Sequence, residues 1–138
     1  MPKIRTVRTV LAAALALAAL PAAAHDQPFS KTVFFGDSLT DSGYFRPLLP
    51  PEAQAVTGQF TTNPGWVWSQ WLADFYGTRA RPQGNGQTGE NHAAGGARNG
   101  VDVNGALGFV PSLATQAGGY LAASGGRADP DALYTVWG

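Results

Sequence analysis

Apolar positions along the chain fall into distinct rhythms, and each predicts a different element. Thr32-Val33-Phe34-Phe35 is a short apolar block without alternation, the pattern of a parallel strand buried on both faces. Val67, Trp68, Trp71, Leu72 and Phe75 recur at helical offsets, with Asn63 as a suitable N-cap, Pro64 at the first helical position and Gly77 to close the helix. The tryptophans on that face are expected to pack against a sheet. A second helix is expected over 111–123, opened by Pro111 or Ser112, with Leu113, Ala117, Tyr120 and Leu121 turned inward. Gly118-Gly119 weakens it by about 1 kcal/mol per glycine relative to alanine, and Ser124-Gly125-Gly126 ends it. Asp129-Pro130-Asp131 is a turn leading into a strand at 132–137.

Two stretches have no such rhythm. Arg46-Pro47-Leu48-Leu49-Pro50-Pro51 reads as a surface loop. Residues 84–108 hold eight of the eighteen glycines, and a long irregular stretch of this kind inside a domain reads as a functional loop. Strand, helix, helix and strand, with no hairpin signal between them, predict an α/β fold with a parallel sheet covered on both sides.

The opening of the chain belongs to a different category. Lys3, Arg5 and Arg8 precede an almost pure Ala/Leu run from Val10 to Leu20, and Pro21-Ala22-Ala23-Ala24 offers a small-residue cleavage site. Residues 1–24 therefore read as a signal peptide and the protein as exported. The apolar run is shorter than the roughly 20 residues of a membrane span. Removing the leader leaves six basic against nine acidic residues, a net charge of −3. Those six are scattered in sequence, which argues against a nucleic-acid partner. The chain has no cysteine, so the exported domain holds together without disulfides or cysteine-ligated zinc. Neither a P-loop nor a metal-ligand spacing occurs, and no cofactor is expected.

The candidate chemistry lies just after the first predicted strand, in FFGDSLTDSG at 34–43. Gly36 allows a sharp exit, and Asp37-Ser38 is placed to open a helix at the carboxyl end of a parallel strand, where spare N–H groups meet ligands. Ser38 there has room for its Oγ and nearby donors for an oxyanion. GDSLTDSG resembles the first sequence block of the GDSL lipase/esterase family, the SGNH hydrolases, whose catalytic residues are a Ser, a Gly, an Asn and a His in separate blocks. Asn91-His92-Ala93-Ala94-Gly95-Gly96-Ala97-Arg98 is similar to the second block, and Ala132–Gly138 to the strand of the third. Gly58–Pro64 and Pro111–Gln116 are similar to segments of the secreted bacterial branch, which includes autotransporter esterases.

The resemblance implies a three-layer α/β/α sandwich, with residues 25–138 as the amino-terminal part of the domain. It implies Ser38 as nucleophile and Gly96 as an oxyanion donor, five residues after Asn91, with Gly95 as the near alternative. The substrate would be a small-molecule or lipid ester. The family's Asn, and its Asp-x-x-His, find no match, since the histidines are His25 and His92 alone. They are expected beyond Gly138, where an outer-membrane β-barrel would also have its place. Without the base the given chain is expected to turn over little, because its loss costs about 10⁴–10⁶ in serine hydrolases.

Other readings of these residues are more local. Ser38 is not in a G-x-S-x-G elbow, because Thr40 stands at the second glycine position. Asp37 and Asp41 are too near Ser38 in sequence to orient a base and instead suit capping of free N–H groups. Asn91 is expected to tie its loop through its side-chain amide. His92, the candidate stand-in base, reads as a structural residue, and His25 falls at a mobile terminus. The alternative to an ester hydrolase is a non-catalytic secreted or autotransporter passenger module with the same fold.

Overall fold

The computed structural model describes residues 27–61 and 65–138. The expected leader, His25 and the expected Asn63-Pro64 cap lie outside the described residues. Strand β1 runs Thr32–Gly36 and pairs in parallel with β4, Leu133–Trp137, in the register Thr32↔Leu133 to Gly36↔Trp137. The parallel pairing expected from the two apolar blocks is present.

On its other side β1 meets the segment 90–94. Phe34 N–H donates to Glu90 O at 2.9 Å, His92 N–H to Phe34 O at 2.8 Å and Ala94 N–H to Gly36 O at 3.1 Å. Asn91 in turn bridges the 81–83 segment, its N–H donating to Arg81 O and its O accepting from Gln83 N–H, at 2.9 and 2.8 Å. Both bridges are parallel. Strand β1 is thus central, and all of its residues are buried.

Its side chains alternate between two apolar clusters, as the two-residue repeat of a strand requires. Val33 and Phe35 pack with Tyr120 and Ala117 of helix α3, Leu113–Ala123. Phe34 faces the other way, onto Ala73, Trp68 and Leu72 of helix α2, Trp68–Phe75, together with Ala80. Helix α3 has Ser112 as its N-cap, the hydroxyl accepting from Thr115 N–H at 3.2 Å. It closes as expected, with Gly126 N–H on Leu121 O at 2.7 Å and Gly125 and Gly126 at φ +67° and +80°.

Several expectations need correction. Trp71 is 61% and Phe75 79% exposed, so these two do not pack on the sheet. The buried residues of α2 are Ser69 and Ala73: the helix approaches the sheet along its small residues, with Trp68 and Leu72 beside them and Trp71 and Phe75 on the far side. In α3 the buried residues are Gln116 and Tyr120, while Leu121 is exposed. The 46–51 stretch contains a 3₁₀ turn at Arg46–Leu48 and runs into a one-turn helix α1 at Pro51–Gln54. The 84–108 stretch is not wholly irregular, and a hairpin is present after all: β2, Val103–Gly105, pairs antiparallel with β3, Gly108–Val110. Its two-residue turn is Ala106-Leu107, which carries none of the usual hairpin residues. Among the described residues no helix is long and apolar enough to cross a membrane.

Candidate functional site

The carboxyl end of β1 is held from above and below by one side chain. Gln116, buried on α3, accepts from Gly36 N–H through Oε1 at 2.9 Å and donates through Nε2 to Gly36 O at 3.0 Å and Pro111 O at 3.1 Å. No larger residue fits at 36, since a Cβ there would sit 2.7 Å from Thr40 Oγ1 and 2.8 Å from Trp137 O.

Residues 37–41 do not open a helix as expected; they form a single turn folded over Asp37. The Asp37 carbonyl accepts from Thr40 and Asp41 N–H at 3.2 and 3.1 Å, and its Oδ1 accepts from Leu39 N–H at 2.9 Å. Asp37 thus consumes the neighbouring donors and leaves Ser38 half-buried at the apex, its N–H and Oγ without a partner among the described residues.

The second turn carries the glycine pair. Ala97 N–H closes it on Ala94 O at 3.0 Å, with Gly96 at φ +85°, the third-position geometry of a type II turn that favours glycine. Gly96 is exposed, and its N–H has no acceptor among the described residues. Gly95 is different: its N–H is occupied, and a Cβ there would strike the Phe60 ring.

The acceptor for Gly95 is Asp41, and this contact joins the two turns. Asp41 is fully buried; Oδ2 accepts from Gly95 N–H at 2.9 Å, and Oδ1 from Gly43 N–H at 2.7 Å and Tyr44 N–H at 2.6 Å. Burial pushes its pKa up, against the pull of the three N–H donors and of Arg46. Behind it, Asn91 Nδ2 donates to Thr40 O at 2.8 Å and to Ser69 Oγ at 3.1 Å, and Asn91 Oδ1 accepts from Ala93 N–H at 3.1 Å. Asn91 thus ties its loop through the amide, as expected. Ser69 adds its own bond to Thr40 O at 2.8 Å.

His92 is turned into the α3 cluster, stacked on Phe35 at 5.3 Å and edge-on to Tyr120 at 5.6 Å. Burial holds its pKa below the usual histidine value, and its buried Nε2 has no hydrogen-bond partner. It makes no hydrogen bond to Ser38.

The Asp41–Gly95 bond ties the turn that carries Ser38 to the turn that carries Gly96, and the Ser38 hydroxyl and the N–H groups of Ser38 and Gly96 have no partner among the described residues. Sequence reasoning missed Gln116 and Ser69. Gln116 had a signal, a polar residue interrupting the predicted inner face of its helix, whereas Ser69 lay off the predicted apolar face and had none. No group of three or more His, Asp or Glu able to hold a metal is present among the described residues. No family model and no curated protein matches the chain.

Proposed function

We propose that this protein is a serine ester hydrolase of the GDSL type, acting on a small-molecule or lipid ester through an acyl-enzyme on Ser38. The observation that carries the reading is the Asp41–Gly95 bond. It fastens the turn bearing Ser38 to the turn bearing Gly96 while leaving the N–H groups of both unpartnered among the described residues. The Ser38 Oγ attacks the ester carbonyl, and the carbonyl oxygen takes the negative charge against the N–H groups of Ser38 and Gly96. A base takes the proton of the Ser38 hydroxyl and passes it to the departing alkoxide; in the second half-reaction the same base takes a proton from the attacking water and returns it to Ser38 as the acid leaves. His92 does not serve as the base, its ring being committed to Phe35 and Tyr120; the resemblance assigns that role to the histidine of the family's Asp-x-x-His block.

Helices on opposite faces of a parallel strand pair support the three-layer α/β/α sandwich as the frame. Export remains the reading of the Ala/Leu leader.

A fluorophosphonate probe tests the nucleophile. The full natural protein should be labelled at Ser38, and Ser38→Ala should abolish labelling; labelling that survives this substitution refutes the assignment. One observation favours the second reading, a non-catalytic passenger module: no base is hydrogen-bonded to Ser38 Oγ among the described residues. That reading predicts a natively folded protein that the probe never labels.

A further inference from the structure

The basic residues are scattered in sequence, yet folding gathers Arg46, Arg79 and Arg81, half of the six beyond the leader, around one cavity of about 250 Å³. The cavity lies between α2 and the 78–82 segment, and neither Ser38 nor Gly96 lines it. The ion pair among the described residues is Lys31–Glu90 at 3.0 Å, so Arg79 and Arg81 have no carboxylate partner there. One acid, Asp74, stands on the wall against three arginines, of which Arg46 also acts on the buried Asp41, so that Arg79 and Arg81 outnumber the acid beside them in a protein whose chain beyond the leader is net negative.

The remaining wall is aromatic and amide. Trp66 lines the cavity, 45% exposed, and its ring rests against Trp71 at 4.9 Å, which fixes a flat apolar surface. Gln59 and Gln70 are locked to one another. Gln59 Nε2 donates to Gln70 Oε1 at 3.1 Å and to Ser42 O at 3.0 Å, while Gln70 Oε1 also accepts from Val67 N–H at 3.1 Å. Both amides are therefore oriented, with Gln59 Oε1 and Gln70 Nε2 left without partners among the described residues. Both residues line the cavity.

Each of these features selects part of a ligand. Unpaired guanidinium groups favour a carboxylate, which they can hold in a bidentate fork. A flat aromatic wall suits the apolar face of a ring, and ordered amides with a free carboxylate suit hydroxyl groups. A bare oxyanion would leave the tryptophan unused and be repelled by Asp74; a neutral sugar would leave the arginines unneutralised. The volume is a little below the roughly 300–1,000 Å³ of drug-sized sites and suits a single sugar ring. We propose that this cavity binds an acidic saccharide, a pyranose carrying a carboxylate. Arg79 and Arg81 hold the carboxylate, Trp66 lies on the ring face, and Asp74, Gln59 and Gln70 meet the hydroxyls.

Calorimetry and tryptophan fluorescence on the full chain test this with three probes: digalacturonate, its neutral counterpart galactobiose, and sodium sulfate. Digalacturonate should bind saturably, galactobiose at least tenfold more weakly and sulfate not measurably. The double variant Arg79→Gln/Arg81→Gln should lose at least tenfold in affinity at an unchanged Tm, and Trp66→Ala should lose a similar factor. Trp66 is half exposed, so that variant decides the matter if the arginine pair proves necessary for folding. Ser38→Ala should bind as the wild type does, which separates this site from the hydrolase reading. Absent binding of digalacturonate, equal binding of galactobiose or sulfate, or affinity unchanged in both variants would each overturn the proposal.

Discussion

Removing the Asp41 carboxylate should both unseat the two turns and cost much of the stability of the fold. Its oxygens satisfy three backbone N–H groups, of which those of Gly43 and Tyr44 belong to buried residues and that of Gly95 to a half-buried one. Each buried donor left without an acceptor costs about 1–3 kcal/mol. Relief from burying a carboxylate offsets part of this, so Asp41→Ala should destabilise by about 3–5 kcal/mol, the range for breaking a buried charged interaction. Against a typical total of about 5–15 kcal/mol, that leaves the variant close to unfolding. Asp41→Asn is the sharper probe. Its single oxygen can still serve Gly43 and Tyr44, but the amide then presents N–H to the Gly95 N–H, so the link between turns breaks while the local cap survives. This variant should lose about 1–3 kcal/mol, shift the amide resonances of Gly95 and Gly96, and label more slowly with a fluorophosphonate. The pH dependence carries a sign. Burial raises the folded-state pKa of Asp41, so the folded state holds its proton more tightly than the unfolded one. Its contribution is greatest below the unfolded value near 4 and is lost as pH rises through the raised value. Urea titrations of wild type and Asp41→Asn between pH 3 and 7 should therefore converge as pH rises. Equal stability of Asp41→Asn and wild type, with unmoved Gly95 and Gly96 amides, would refute the idea that this carboxylate joins the turns.

Three other outcomes follow from the same contacts. Gln116→Leu orphans the buried Gly36 N–H and removes one of two donors from Gly36 O, which keeps that of Ala94, and should cost about 1–3 kcal/mol in urea unfolding; no measurable loss would show that the Gly36 N–H finds another partner. His92 has a folded pKa depressed by burial, so stability is flat above the unfolded value of about 6.5 and falls as pH drops from there toward the depressed value. His92→Phe should remove that slope, and an NMR titration placing the ring at or above its usual pKa would contradict the assignment. Trp68→Ala should destabilise by about 3 kcal/mol, whereas the exposed Trp71→Ala should cost less than about 1 kcal/mol; thermal melts giving the reverse order would refute the observed orientation of α2.

What could be read from the sequence was what is decided locally. The blocks at 32–35 and 132–137 are dense in aromatic and branched residues and read as strands, although only the first is fully buried and Val136 and Trp137 of the second are exposed; Ser112 and Gly125-Gly126 mark the limits of α3 by capping chemistry that depends on near neighbours alone. The inner face of α2 was misplaced because burial there follows Ser69 and Ala73. A serine counts as polar in any periodicity, yet this one is buried because its hydroxyl reaches Thr40 O, a partner 29 positions away. The 90–94 segment failed for the same reason. Glu90-Asn91-His92-Ala93-Ala94 has no strand signature, and it lies beside β1 because distant groups accept its polar atoms: Thr40 O for the Asn91 amide, Phe34 O and Gly36 O for the backbone.

These failures of local reading coincide with the candidate site, and the coincidence has a physical cause. An apolar contact fixes two segments only to within the tolerance of shape, whereas a buried hydrogen bond fails over fractions of an ångström and leaves an orphan when it does. Asp41, Asn91 and Gln116 are each buried, and each bonds the backbone of a different segment: the glycine turn, the Ser38 turn and the end of β1. The apolar clusters hold the helices to the sheet, and the three polar side chains set where the two turns stand relative to one another. Conservative polar substitutions at these three positions should therefore impair the site before they unfold the protein, while large-to-small changes in the apolar clusters should do the opposite. Probe labelling and urea unfolding, measured on the same variants, separate the two effects.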